Sequence, residues 1–131
     1  MSESIARQWL SESSDTANNK QFKAHMNLIS DRISLRGLPG YENINYEAWY
    51  KQCEDEFSNN VLKSVRYDGF KMETDTESRI IFKTFETVEA HDGKINRHGI
   101  EVLLEKEGDG VWRLVQERIL SEDESRENGL I

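Results

Sequence analysis

The sequence holds little that could staple an unusual architecture: one cysteine, Cys53, and one proline, Pro39, in 131 residues. A single thiol excludes an internal disulfide and any cysteine-rich zinc site, and Cys53 itself reads as an apolar helix residue. No apolar run approaches the roughly 18–20 residues that carry a helix across a bilayer. The opening MSESIARQWL lacks the basic start and apolar stretch of a signal peptide, so a cytoplasmic location is expected. Positive charge is scarce as well: 17 Lys and Arg against 25 Asp and Glu leave a net charge of −8. That sign is wrong for a phosphate-backbone partner, and neither nucleic acid nor a membrane is expected as a partner. There is no glycine-rich phosphate loop and no serine or cysteine nucleophile signature. The three histidines, His25, His91 and His98, fall on different elements without metal-ligand spacing, so neither a metal nor a cofactor is expected.

What is present is a change of period. Ile5 and Trp9 lie four apart, and Phe22, His25, Met26 and Ile29 repeat at helical spacing, which predicts two helices separated by the polar stretch SESSDTANNK. RISLR then alternates as a short strand and GLPG ends it in a turn. Asn45 is a fit N-cap for a third helix whose stripe is Tyr46, Trp49, Tyr50, Cys53 and Phe57. After Asn60 the period becomes 2, predicting strands over Val61–Met72, Ser78–Ala90, Ile95–Glu107 and Val111–Leu120. The whole reads as one domain over residues 1–131, with a core at about 4–120 and a frayed acidic tail over 121–131.

The turns suggest registers. HDGK reads as a two-residue type I′ hairpin around Asp92-Gly93, which sets Phe82 opposite Leu103 and Glu86 opposite Gly99. A three-residue Gly108-Asp109-Gly110 loop pairs Glu107 with Val111. It then sets Glu105 opposite Arg113 and Glu101 opposite Glu117. Both faces of the resulting sheet carry apolar residues, so both are expected to be covered. Helices cover one face, and a second copy of the chain is expected on the other, centred on Phe85, Ile100, Val102 and Leu114, as a homodimer.

Helix, helix, short strand, helix and four long antiparallel strands, with ISDRISLRGLPG and the ending GDGVWRLVQERI, resemble the nuclear transport factor 2-like superfamily. This group includes ketosteroid isomerases and SnoaL-like cyclases. The resemblance implies an α+β fold, a cone of three N-terminal helices packed in a curved, mainly antiparallel sheet. The isomerases of the family use an aspartate base, a helix tyrosine and a strand acid. Aligned here, Arg36 or Gly37 stands at the base, Trp9 at or near the tyrosine, and Glu101 near the acid, so ketosteroid isomerase activity is not implied.

Opposed carboxylates in a partly dry cavity do not both ionise cheaply, which makes Glu101 and Glu117 the candidate catalytic pair, with Arg97 and Arg113 as compensating cations. Trp9, Arg36, Trp49, Tyr50, Phe82, Thr84, Glu86 and Leu103 are the candidate ligand-binding residues. Three functions remain open at this point: binding of a small, largely apolar molecule in the cone; cofactor-independent isomerase, cyclase or hydratase chemistry by the pocket carboxylates; or a dimerisation or scaffolding module whose cone is filled by its own side chains.

Overall fold

A computed structural model describes residues 2–36 and 44–130, with the backbone alone for Ser2, Leu35 and Arg36. The turn expected at GLPG lies outside the described residues. The elements run α1 (Ser2–Asn18), α2 (Phe22–Met26), β1 (Ile29–Arg36), α3 (Tyr46–Ser58), β2 (Leu62–Asp75), β3 (Arg79–Ala90), β4 (Ile95–Lys106), β5 (Trp112–Ile119) and α4 (Glu122–Glu127). One sheet holds all five strands in the order β1-β5-β4-β3-β2. β1 joins β5 in parallel, and the other three pairings are antiparallel. The first three helices pack on the inner face of this curved sheet, giving the α+β cone that the element order implied.

Three boundaries differ from the sequence expectation. The stretch 11–18, read as a polar gap, belongs to α1. Its buried face continues from Ala6, Trp9 and Leu10 through Ser13 and Ala17, small residues that keep the i, i+3, i+4 rhythm without large apolar side chains. α2 stops at Met26, because Ile29 already pairs with Leu114 at the start of β1. The tail, read as frayed, forms α4, capped by the Ser121 side chain accepting from the Glu124 amide at 3.1 Å. Glu122, Asp123 and Glu124 occupy its first turn, where the helix dipole favours negative charge.

The 91–93 hairpin is the more consequential difference. Gly93 donates to the Ala90 carbonyl and Ala90 to the Lys94 carbonyl, with Gly93 at φ 91°. This is a three-residue loop, a type I turn closed by a left-handed residue, not a two-residue turn. It shifts the β3–β4 register by one: Phe82 faces Val102, and Glu86 faces His98. Since side chains alternate across a strand, the shift exchanges the faces of β4. Ile100, Val102 and Leu104, with Leu114 on β5, are therefore fully buried on the inner face with Ile80 and Phe82. They do not form an outer patch for a second copy. Of the expected outer centre only Phe85 lies outside, where Leu120 and Leu130 of the C-terminal segment cover it.

The β4–β5 hairpin begins as expected. Glu107 donates to the Val111 carbonyl, and Glu105 faces Arg113. Between Leu104 and Leu103 a bulge then intervenes: Leu104 pairs with Leu114, but Leu103 pairs with Gln116. Val115 is the extra residue. Beyond it Glu101 faces Arg118 and Val102 faces Glu117. Without the bulge Glu101 would oppose Glu117; with the shift extended to the turn, Lys106 would oppose Arg113. Like charges directly opposite destabilise a sheet pair, so each half of β5 takes the register that pairs its charges.

α3 differs in kind from α1. Its N-cap is as expected, Asn45 accepting from the Ala48 amide at 3.0 Å, but it contains no buried residue. Its stripe of Tyr46, Trp49, Cys53 and Phe57 is half-buried. Among the described residues no helix is long and apolar enough to cross a membrane.

Candidate functional site

α1, α3 and the inner sheet face enclose a cavity of about 270 Å³. This lies near the lower edge of the roughly 300–1,000 Å³ usual for small-molecule sites. Trp9, Ile29 and Leu114 form its buried end, while Gln52 and Asn96 are exposed and mark its open side. The described residues leave this space unfilled, whereas the scaffolding reading needs it packed.

The polar groups converge from four strands and three helices. Glu117 reaches the cavity because the Val115 bulge turns it inward from β5. It is 9 % exposed, and among the described residues its carboxyl has no hydrogen-bond or ion-pair partner. Burial, reinforced by the charge of Glu86, raises its pKa well above the ordinary carboxylate range, because both effects disfavour the ionised form. Both effects bias Glu117 towards its neutral, protonated form. Glu86 projects from β3 directly opposite His98 on β4, with Oε1 3.1 Å from His98 Nε2. Tyr67, next to Glu86 on β2, shares a hydrogen bond of 3.1 Å with the Ser13 hydroxyl. Burial and the charge of Glu86 keep its phenol protonated far above the usual range.

On the helical side, burial lowers the pKa of His25, whose Nδ1 lies 2.9 Å from the Thr16 hydroxyl. Burial also pushes the Cys53 thiol up to about 12, with Glu56 adding to the effect. The site thus contains Glu117, a carboxyl biased towards its protonated form, beside the hydrogen-bonded Glu86–His98 pair. That is the equipment of proton transfer, a donor and an acceptor held apart by their surroundings. Among the described residues no group of three or more His, Cys, Asp or Glu is placed to hold a metal ion.

Four residues singled out from the sequence meet here: Trp9, Trp49, Glu86 and Glu117. Trp9 is anchored through its indole N–H, which donates to the Leu28 carbonyl at 3.2 Å. Glu101 does not join them. It lies on the outer face, ion-paired with Arg118 at 3.3 Å and near Lys83 at 4.0 Å. Burial opposes its ionisation, but Arg118 and Lys83 outweigh that and hold its carboxyl below the usual range. The expected compensators act elsewhere: Arg113 pairs with Glu107 and Asp109, and Arg97 lies over the Phe85 ring.

Phe82 is fully buried core, stacked on Phe70 with ring centroids 5.2 Å apart. Thr84 is also fully buried, and its hydroxyl donates to the Gly69 carbonyl at 2.6 Å, a carbonyl beside an irregularity in β2. Leu103 faces outward, opposite to Val102 and Leu104. Tyr50 is 38 % exposed and packs edge-on to Phe22 outside the cavity. The Arg36 side chain lies outside the described residues. His98, Tyr67 and Glu56 were not singled out. His98 follows from Glu86 once the 91–93 loop is counted as three residues, but the irregular β2 register gives no comparable signal for Tyr67.

The comparisons with known proteins agree with this architecture. No protein-family model matches the sequence, and no curated protein matches it. Among solved structures, a protein of unknown function from Shewanella oneidensis, described as nuclear transport factor 2-like, superposes with a TM-score of 0.75 at 10 % identity, covering 91 % of this chain and 98 % of that one. This chain has the nuclear transport factor 2-like fold. A candidate scytalone dehydratase from Novosphingobium aromaticivorans superposes at 0.72 with 9 % identity, over 90 % of this chain and 82 % of its own. ActVI-ORFA from Streptomyces coelicolor does so at 0.70 with 10 % identity, over 92 % and 97 %. Identities this low show a shared fold and nothing about the contents of the cavity.

Proposed function

We propose that this nuclear transport factor 2-like chain binds a small, largely apolar molecule in its cavity and moves protons on it without a cofactor. The observation that carries this reading is Glu117, a carboxyl nine-tenths buried, unpartnered among the described residues, and biased towards its protonated form at the wall of an open space. A buried polar group without a partner is costly; facing a cavity, it is positioned to donate to a ligand. Glu86, backed by His98, is the matching proton acceptor. The reaction class is isomerisation or elimination at a carbon beside a carbonyl, with Glu117 protonating the oxygen and Glu86 taking the C–H proton. The fold likeness to a candidate dehydratase is compatible with that class and adds nothing about the substrate.

The test is solvent deuterium exchange into one-ring ketones, followed by NMR. Wild type should accelerate exchange at the α carbon, and Glu86→Gln should abolish it. Glu117→Gln should slow it by about 10²–10⁴-fold, the usual contribution of a positioned acid or base. Ligand binding with no exchange in any ketone would leave a binding protein and reject the catalytic part.

A further inference from the structure

We propose that the cavity selects a cation: a small apolar molecule bearing a protonated amine, whose nitrogen is received by Glu117. The inference rests on the cavity being a ligand site and not on its being catalytic; a Glu117 carboxylate paired with an ammonium has no proton to give a carbonyl, so the two roles of Glu117 belong to different ligands.

Three glutamates from three elements line the space, Glu56 on α3, Glu86 on β3 and Glu117 on β5, and no lysine or arginine is among the described residues that line it. The nearby cations are committed elsewhere. Arg118 binds Glu101 and Glu124 on the outer face, Arg113 binds Glu107 and Asp109, and Lys20 donates to the Leu62 carbonyl. The two imidazoles do not change the balance. His98 is paired with Glu86, and burial disfavours the charged form of His25.

An anionic ligand would enter this space against carboxylates with no counter-charge. A neutral ligand would satisfy one hydrogen bond. An ammonium does more, since it donates to Glu117 and lies among the aromatic residues Trp9, Trp49 and Tyr67 that line the space, and aromatic rings attract cations electrostatically. The chain as a whole, with 17 basic against 25 acidic residues, also draws cations towards it.

The proton balance is explicit. When an ammonium binds, the O–H bond of Glu117 breaks, its proton leaves to solvent, and a carboxylate–ammonium pair remains. If the amine binds uncharged, it has already given its proton to solvent and the Glu117 proton passes to its nitrogen, so at pH 7 the net release is the same. The titratable groups lining the cavity with Glu117 are Glu86 on β3, His98 on β4, Tyr67 on β2, Cys53 and Glu56 on α3, and His25 on α2; α1 and β1 present none.

Calorimetry with three molecules of one shape, cyclohexylmethylamine, cyclohexylmethanol and cyclohexanecarboxylate, tests this at pH 7 in two buffers of unlike ionisation enthalpy. The amine should bind at least about tenfold more tightly than the alcohol, with net proton release, and the carboxylate most weakly. Glu117→Gln, checked for folding by circular dichroism, should lose the amine preference, binding the amine no more tightly than the alcohol. The proton release in wild type stands independently of that variant. Alcohol binding as tight as the amine's, or amine binding without proton release, overturns the cation proposal and leaves the cavity reading intact. Failure of all three molecules to bind overturns both.

Discussion

Glu86 and Glu117, on strands that are not neighbours, act on the same proton: the charge of the first and the burial of the second both keep Glu117 neutral. The folded protein therefore holds a proton that the unfolded chain gives up at the ordinary value of 4.5. Between that value and the raised folded pKa the native state binds more protons, so stability falls as pH rises through the window. Glu117→Gln removes this slope. Denaturant midpoints from pH 4.5 upward should show the variant gaining on wild type as pH rises; parallel curves would contradict the assignment.

Glu101 should behave in the opposite sense. Its folded pKa is depressed, so its contribution is present above the unfolded value and lost as pH falls through the lowered one. The ion pair with Arg118 is partly exposed, with side-chain exposures of 32 % and 21 %, and such pairs contribute no more than about 1 kcal/mol. Glu101→Gln should cost that or less near neutral pH and leave ligand binding unchanged, since the residue is outside the cavity.

Gly99 and Ser125 should be coupled. A Cβ added at Gly99 would lie 2.2 Å from the Ser125 hydroxyl oxygen, so Gly99→Ala should displace α4 at a cost of about 1–3 kcal/mol. That hydroxyl is buried without a hydrogen-bond partner among the described residues, so Ser125→Ala should be neutral or stabilising. In urea titrations the double variant should recover part of the Gly99→Ala loss. Simple additivity would show that the contact is not the cause.

Cys53 should be a poor nucleophile although it lines the cavity. The thiolate is the reactive form, and burial pushes this thiol up to about 12. Alkylation by iodoacetamide at pH 8 should be far slower than in the urea-unfolded chain, and slower still with a cavity ligand bound. Rapid labelling of the folded protein would show α3 to be less closely packed over the thiol.

The element order was legible because helical and strand periods differ strongly. The positions of charged side chains were less so, because they depend on counting single residues at turns and bulges. At 91–93 one residue decided whether Ile100 and Val102 faced the core or solvent. The Gly-Asp-Gly turn was read as it folds and Glu117 lines the cavity as expected, yet Glu101 does not: the 91–93 count turns it outward, and the Val115 bulge keeps Glu117 on the inner face rather than opposite it. Turn chemistry is local and visible in a sequence. The choice between a strained regular ladder and a relaxed irregular one depends on several pairs together, and no short window contains them. Trp9, Trp49 and Glu86 were found because their positions rest on the helices and on the face of β3, which neither count disturbs.

α3 forms one side of the cavity without burying any residue of its own. Swinging it outward would expose a stripe that is only half-buried, so its opening free energy should be lower than that of α1, which buries Ala6, Trp9, Leu10 and Ala17. The volume of the empty cavity then sets no strict upper bound on what may enter. The sheet and α1 act as the rigid half of a mould and α3 as its yielding half. A larger guest would be accommodated by displacing the helix, and its amide protons would report that motion by exchanging faster than those of α1.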